Sequence, residues 1–368
     1  MATEDHDFQE INHIHLFGKK IAWDSNQSGA VGRMHLEGFK NLLMKLKLGL
    51  GNSENADKLI SLFEKSYLDH DNLSDATRYL VNELFGKYGL VILDGDNNRL
   101  KEKLISTIKK DIIGQGFKKS IVKCSKDLDA KYKVQAHIRS INFFKLSEGK
   151  RELITDKITE KEIENNPVNF SPNVLLRPLY QETILPNIAY IGGGAEISYW
   201  MQLKNAFQQE NIPLPILILR NSVLFMDDKQ NQKRQALGFT LNDLFLEENQ
   251  LQKKFVLNQN DTVVSLKDEM DAFEIVYLSI IEKTNDVGLQ NSIKSQHKKH
   301  LKSVKQLEEK FLRLAKQKNE SSLNQINKIK KQLFPNNSLQ ERYDNFIPFY
   351  LKYGDNFIEK LKDNLNPL

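Results

Sequence analysis

The feature that most constrains the fold is a pattern of strand, glycine turn and helix that occurs twice. In residues 89–113 an apolar run ends at Asp94 and is followed by a polar turn and a helical pattern. Residues 188–209 repeat this order, with three consecutive glycines at 192–194 between the apolar run and the helix. A third apolar run, 215–220, is typical of a strand buried on both faces. The pattern predicts an α/β protein with a parallel sheet.

Other stretches have helical or hairpin patterns. Apolar spacings of three and four predict a helical insertion in residues 32–87, and residues 134–146 predict a short hairpin. From residue 269 onward the chain is almost wholly helical. An apolar seam breaks near residues 318–322, which indicates either one helix with a stutter or a hairpin turning there. The seam before the break consists of Ile293, His297, Leu301, Val304, Leu307, Phe311 and Leu314.

Composition excludes several classes of protein. The 368 residues include 53 Lys and Arg against 48 Asp and Glu, and the excess of +5 is scattered, so no nucleic-acid partner is predicted. The single cysteine, Cys124, excludes a disulfide framework and fits a reducing compartment. Residues 1–12 do not resemble a signal peptide, and no apolar run approaches the ~20 residues needed to cross a bilayer. We therefore expect a soluble, cytoplasmic protein with no membrane partner.

The densest polar cluster lies in the first fifteen residues. Imidazole titrates near neutral pH and a carboxylate can orient it, so this cluster could perform general acid and base chemistry. A metal site is the competing functional interpretation, but the spacing matches no closed zinc pattern, and no metal is predicted. The third alternative is a polar loop end with hydrogen-bonded histidines. The residues concerned are Thr3, Glu4, Asp5, His6, Asp7, Glu10, Asn12, His13 and His15.

The glycine turn could receive a phosphate or carboxylate on backbone N–H groups at the start of the following helix. Gly192 and Gly194 fit the first two positions of a dinucleotide fingerprint, but Ile197 occupies the third. Glu196 would repel an anion while suiting an amine or a ribose hydroxyl. Asp94 lies at the end of the first expected strand, where open α/β sheets bind ligands, although Asp-Gly-Asp-Asn is also an ordinary turn. Tight packing without a ligand remains the alternative for the glycines.

Two arginines are placed where a planar fork of donors could hold a carboxylate or phosphate. Arg177 precedes a proline, and Arg220 follows the expected strand at 215–220. Guanidinium groups bind such oxygens through two parallel hydrogen bonds. Either arginine could instead pair with an internal carboxylate.

Three long segments together resemble the bacillithiol synthase family of cysteine ligases: residues 2–13, 171–182 and 192–204. They occur in the family's order, with further matches at residues 88–94 and 333–342. The resemblance implies a Rossmann-like core akin to nucleotidyltransferases and class I synthetases, with helical connecting insertions and a coiled-coil arm that pairs subunits as a homodimer.

The reaction that the resemblance implies is amide formation between the carboxyl of cysteine and the amine of glucosaminyl malate. Carboxylate activation makes a nucleotide, ATP or ADP, the expected cofactor. With the polar cluster, the resemblance implies catalytic roles for Asp5, His6, Asp7 and His13. It implies substrate contacts for Glu10, Asn12, Arg177, Gln181, Glu196 and Arg220. Nucleotide contacts are expected at Asp94, Gly192, Gly193 and Gly194.

The resemblance also suggests how the chain is divided, and two other function classes stay open. Family members carry a segment upstream of residue 1, so we expect that the chain begins inside the first domain. The alternatives are a catalytically inactive coiled-coil scaffold and a nucleotidyltransferase of other specificity. The expected divisions are core 1–31, helical insertion 32–87, core 88–116, small α/β insertion 117–167, core 168–235, coiled-coil arm 236–335 and a terminal helical segment 336–368.

Overall fold

The computed structural model describes residues 8–147, 149–259 and 265–365. The chain forms two compact units. The first comprises Met1–Ser222 together with Asp344–Leu368, and the second comprises Val223–Tyr343. In these described ranges, no helix is both long enough and apolar enough to cross a membrane.

The first unit begins with a helical turn and a tight hairpin. Helix α1 (Phe8–Ile11) leads into strand β1 (His13–Leu16), which pairs antiparallel with β2 (Lys19–Ala22). Phe17 and Gly18 join the strands with φ angles of 50° and 78°. Positive φ at both central residues matches the right-handed twist of paired strands, so this turn fixes the hairpin register.

Three helices follow the hairpin: α2 (Phe39–Leu50), α3 (Glu54–Leu68) and α4 (Leu73–Phe85). Their positions agree with the apolar spacing of three and four in residues 32–87, which predicted a helical insertion. Ser53 and Asn72 begin α3 and α4, because each side chain accepts a hydrogen bond from a backbone N–H of the first turn. The helices pack on the hairpin around a core of Leu16, Leu43, Leu46, Leu50, Leu59, Ile60 and Phe63.

The prediction of a strand at residues 89–94 is wrong. These residues are extended but pair with no strand in the part of the chain that the structure describes, and the side chain of Val91 is 70% exposed. An apolar run becomes a strand only where a neighbouring strand supplies backbone partners, and none is present here. Three helices follow: α5 (Asn98–Glu102), α6 (Ile105–Ile112) and α7 (Lys118–Asp129).

A three-stranded antiparallel sheet occupies the next part of the first unit, in the order β4-β3-β5. It consists of β3 (Phe143–Ser147), β4 (Lys150–Leu153) and β5 (Phe170–Pro172), with α8 (Glu160–Asn165) inserted before β5. The hairpin expected at 134–146 is therefore displaced along the chain. The backbone of Ala136 is bonded to the side-chain amide of Gln202 and not to a strand, which leaves residues 134–139 irregular.

A parallel strand pair completes this region. Its elements are α9 (Arg177–Ile184), β6 (Ala189–Gly192), α10 (Gly194–Trp200), α11 (Lys204–Gln209) and β7 (Ile216–Leu219). The sheet is parallel, as expected, with Ala189 opposite Ile216. The expectation of burial on both faces of β7 is wrong, since Ile216 and Leu219 are 65% and 64% exposed. Among the described residues this sheet contains only β6 and β7, so nothing covers the outer edge of β7.

The second unit is helical. It contains α12 (Asp228–Ala236), α13 (Glu248–Asn258), α14 (Lys267–Ile281), α15 (Val287–Lys318), α16 (Glu320–Leu333) and α17 (Gln340–Tyr343). Its core is built by α13, α15 and α16 from Leu251, Phe255, Ala315, Ile326, Ile329 and Leu333. The chain then returns to the first unit as α18 (Ile347–Tyr353) and α19 (Asn356–Asn364).

The hairpin of the arm lies at residues 282–286 and not at the break in the seam. Phe273 of α14 lies beside His300 of α15, and Tyr277 stacks on His297. The order of these contacts shows that the two helices run antiparallel. At the break, α15 and α16 are separated by Asn319, which caps α15. Val304 is buried, whereas the later seam residues Leu307, Phe311 and Leu314 are exposed. The seam therefore divides into a part packed in the hairpin and a part open to solvent.

Candidate functional site

The glycine turn between β6 and α10 is closely packed. The backbone N–H of Gly193 donates to a carboxylate oxygen of Glu196 at 2.8 Å, so Glu196 caps its own helix. A Cβ atom on Gly192 would lie 2.6 Å from the Tyr190 ring, whereas one on Gly194 would meet nothing nearer than Leu219 at 3.9 Å. Gly192 is needed for this close approach, whereas the turn leaves space at Gly194.

Arg177 lies next to this turn. It is the first residue of α9, and its guanidinium donates to the hydroxyl of Tyr199 at 2.9 Å. Tyr190 belongs to the same neighbourhood: burial, assisted by the charge of Glu196, raises the pKa of Tyr190 to about 12, while the charge of Arg177 opposes this rise. We call Arg177, Tyr190, Glu196 and Tyr199 the arginine–tyrosine cluster. It brings one cation, one carboxylate and two hydroxyls to the end of β6.

A buried polar chain positions the start of α9. The side-chain oxygen of Asn173 accepts from the N–H groups of Leu175 and Leu176 at 2.9 and 3.2 Å, directly before Arg177. Asn173 in turn donates to Asn142, whose backbone and side-chain N–H groups donate to Asp111. Asp111 is fully buried, and burial raises its pKa to about 6 although both donors oppose the rise.

Arg220 lies at the carboxyl end of β7. Its N–H donates to the carbonyl of Gly192 at 2.9 Å, which brings it beside the glycine turn, as expected for adjacent parallel strands. The side chain lines a depression of about 290 Å³, together with Lys362 from α19. Two cationic side chains therefore border the same space at the edge of the sheet. The sequence did not indicate Lys362, because a contact between residues so far apart has no local signal.

Asp94 takes part in the local structure of its turn, as an oxygen of its carboxylate accepts from the N–H of Asp96 at 2.9 Å. Asp96 is paired with Arg33 through two hydrogen bonds, at 2.5 and 2.8 Å. The fully buried Lys101 donates to the carbonyl of Phe170 and lies 3.7 Å from Asp96. Arg33 was not among the expected site residues, although it joins Asp96 to the carbonyl of Val168.

Another cavity, of about 730 Å³, lies beside Arg33 and is lined by many polar side chains. Its second cation, Lys145, is paired with Glu162 at 2.8 Å. Both cations of this cavity therefore face a carboxylate. Its other polar lining residues are Asn26, Gln27, Ser28, His35, Ser147 and Asn169.

The amino-terminal cluster is only partly described. Asp5, His6 and Asp7 lie outside the described residues, and Glu10 is placed only as a member of α1. His13 lies in β1, where its Nδ1 is 3.0 Å from the side-chain oxygen of Asn12. Its ring packs edge-on against His15 at 5.3 Å. Across residues 8–147, 149–259 and 265–365, no group of His, Cys, Asp and Glu is arranged to hold a metal ion.

Gln181 is one helical turn after Arg177 in α9. Its amide donates to Glu182 at 3.3 Å. Glu182 is buried and holds Asn187 through two hydrogen bonds of 2.8 Å. Gln181 thus lies on the same helix as Arg177, beside a carboxylate that already serves the turn before β6.

Two family profiles cover the chain. The bacillithiol biosynthesis BshC N-terminal Rossmann-like domain matches residues 1–221, and the BshC C-terminal coiled-coil domain matches residues 223–368. These matches confirm the expected fold class.

Relatives carrying the name "Putative cysteine ligase BshC" match along the chain. The Flavobacterium psychrophilum protein is 40% identical over 100% of this chain and 72% of its own length. The Christiangramia forsetii protein is 39% identical over 100% and 73%, and the Staphylococcus aureus protein 23% over 96% and 72%. With both profiles and these identities in agreement with the resemblance, the chain belongs to the BshC family of bacillithiol biosynthesis.

Proposed function

We propose that the protein is a ligase that joins the carboxyl of cysteine to the amine of glucosaminyl malate, the last step of bacillithiol biosynthesis. The family supports this class of reaction. The observation that carries the proposal is the meeting of the arginine–tyrosine cluster with Arg220 at the carboxyl ends of β6 and β7. Open α/β sheets bind their ligands at this edge.

The cations at this edge are suited to the anionic groups of the reactants. Malate carries carboxylates and a nucleotide carries phosphates, and both accept two parallel hydrogen bonds from a guanidinium. Arg177 is held by Tyr199 and by the Asn173 turn, so its orientation is fixed before a ligand arrives. Arg220 and Lys362 border a depression that suits a second anionic group.

Amide formation needs an activated carboxyl and a neutral amine, and we assign the activation to ATP. ATP would transfer its terminal phosphoryl group to a carboxylate oxygen of cysteine and leave as ADP. The amine nitrogen would then attack the carbonyl carbon, the C–N bond forming as the bond from that carbon to the phosphate oxygen breaks, with phosphate leaving and a base taking the amine proton. His13 is the described candidate for this base, with Asp5, His6 and Asp7 as proposed partners. Glu10, Asn12 and Gln181 remain proposed substrate contacts.

The fit of a nucleotide to the glycine turn is uneven. The carboxylate of Glu196 already occupies the N–H of Gly193, and its charge disfavours a phosphate there. Gly194 is open, and a ribose hydroxyl could bond to the outer oxygen of Glu196 or to Asp94. We therefore propose Asp94, Gly192, Gly193 and Gly194 as contacts of the nucleoside, with the phosphates directed to Arg220 and Lys362.

The experiment supplies the protein with cysteine, glucosaminyl malate and ATP and measures bacillithiol by mass spectrometry. Parallel reactions omit ATP, replace it by ADP, or replace cysteine by serine. Product that depends on cysteine and on a nucleotide supports the proposal. Absence of product with every nucleotide tested contradicts it.

We also propose that the protein pairs with a second copy through the arm. The exposed seam residues Leu307, Phe311 and Leu314 and the exposed apolar residues of α14, Ile275, Val276 and Leu278, support this assembly. The match of this region to a coiled-coil domain points the same way.

A further inference from the structure

A second cavity, distinct from the arginine–tyrosine cluster, lies within the first unit. It encloses about 380 Å³ between the β1–β2 hairpin, helices α2, α3 and α4, and residues 345–347. This volume is in the range of cavities that hold small organic ligands. Most of its wall is apolar, and its aromatic lining residues are Trp23, Phe39, Phe63, Tyr67 and Phe346.

The charge of the wall restricts what the cavity can bind. None of its described lining residues is Asp, Glu, Lys or Arg. Apart from His13, whose ring nitrogen lies 3.0 Å from the Asn12 side-chain oxygen, the described lining residues offer a charged ligand no ionic partner, and burying such a ligand among apolar side chains is unfavourable. The occupant that suits the wall is therefore uncharged, unlike the carboxylates proposed for Arg177 and the phosphates proposed for Arg220 and Lys362.

Two hydroxyl groups on the wall lack partners. The ring of Tyr67 stacks on Phe39 with centroids 4.6 Å apart, which fixes its orientation. In the described part of the protein, neither the Tyr67 hydroxyl nor that of Thr77 makes a hydrogen bond. Burial raises the pKa of Tyr67 to about 12, so its hydroxyl stays protonated and can donate. Both hydroxyls keep some accessible surface, so a ligand group inside the cavity could bond to them.

We propose that this cavity binds a small uncharged molecule with an aromatic or aliphatic body and a single hydroxyl or carbonyl group bonded to Tyr67 and Thr77. Asn12 and His13 line the same cavity. Its occupant therefore contacts the segment that carries the proposed base without using Arg177, Arg220 or Lys362. None of the proposed reactants is uncharged, so this ligand is a different molecule.

The test uses 2-naphthol as the uncharged probe and 2-naphthoate as its charged counterpart of similar shape, with binding measured by isothermal titration calorimetry. Tyr67→Phe keeps the stacked ring and removes the hydroxyl. Leu42→Trp adds bulk to a residue of the cavity wall. Leu48→Trp is the matched control, because Leu48 is in the same helix but is 87% exposed.

We expect 2-naphthol to bind the unmodified protein and Leu48→Trp equally, and 2-naphthoate to bind at least roughly tenfold more weakly. Tyr67→Phe should weaken 2-naphthol binding by about five- to tenfold, the effect of one hydrogen bond. If Leu42→Trp does not fold, judged by circular dichroism, Tyr67→Phe still decides the question. The proposal is overturned if 2-naphthol does not bind below about 1 mM, if the charged probe binds equally well, or if Tyr67→Phe leaves affinity unchanged.

Discussion

At the scale of single residues, the site depends on a few polar side chains whose partners come from distant parts of the chain. Arg177 is held by a hydrogen bond to Tyr199, and the turn before it is held by the hydrogen-bonded side chains of Asn173, Asn142 and Asp111. Such a chain holds a side chain in one orientation, which is what bidentate recognition requires. Substitutions here should separate recognition from folding.

Arg177→Lys is expected to raise the KM for glucosaminyl malate roughly tenfold while shifting the melting temperature little. Lysine keeps the charge but loses the planar fork and the geometry of the bond to Tyr199. Steady-state kinetics and thermal denaturation measure the two effects. Arg78→Lys is the matched control, because Arg78 is exposed and pairs with Asp75 at the surface. An unchanged KM in Arg177→Lys would count against the proposed role.

Asp111→Asn is expected to change how stability depends on pH. The pKa of Asp111 is about 6 in the folded protein against an ordinary value of 3.8, so the folded state binds the proton more tightly and stability falls as pH rises between these values. The loss reaches about 3 kcal/mol above pH 6 in the unmodified protein and is absent from the variant. Urea denaturation at pH 4.5 and pH 7 tests this. An equal change in the free energy of unfolding between the two pH values in both proteins would refute the prediction.

The sequence indicated Arg177, Glu196 and Arg220 as candidate site residues but not Arg33, Lys362 or Tyr67. Arg33, Lys362 and Tyr67 acquire their surroundings through contacts between elements far apart in the chain, which leave no local pattern. His13 was identified because polar residues crowd around it in the sequence. Local crowding of polar residues is visible in a sequence, whereas convergence in space is not.

At the scale of elements, helices were predicted better than strands for a physical reason. The spacing that marks a helix reflects contacts within four residues, so 32–87 could be assigned from local pattern alone. Strands need a partner, and the runs at 89–94 and 134–139 have none in the described residues. The pair β6 and β7 was predicted because a glycine turn and a helix separate its members as a crossover requires.

Gly192→Ala is expected to destabilise the first unit by about 1–3 kcal/mol, because the new methyl group would lie 2.6 Å from the Tyr190 ring and 3.3 Å from Glu196. Gly194→Ala, at the start of α10, is the matched control. Its methyl group would be 3.9 Å from Leu219, in ordinary contact. Urea denaturation compares the two variants. Equal stability would show that the turn tolerates side chains and that its glycines do not serve packing.

At the scale of the whole molecule, the exposed part of the arm seam is the feature that requires a partner. An apolar stripe on a long helix is stable in water only when covered. Helix α14 packs on the early seam residue His297 through Tyr277, and Val304 is buried, whereas Leu307, Phe311 and Leu314 are exposed. A second copy of the chain presents the same stripe, and self-complementary pairing about a two-fold axis is the commonest form of assembly.

The double variant Leu307→Asp with Phe311→Asp is therefore expected to be monomeric, while the unmodified protein is a dimer at micromolar concentration. Two carboxylates in a paired apolar seam would have to be buried without partners, which costs more than the contacts return. Gln306→Asp with Lys310→Asp is the matched control, since both residues are exposed on the same helix but outside the seam. Light scattering measures mass, and circular dichroism checks that α15 still forms. A monomeric unmodified protein, or a double variant that remains dimeric, would exclude pairing through this stripe and leave the exposed residues of α14 as the surface to examine.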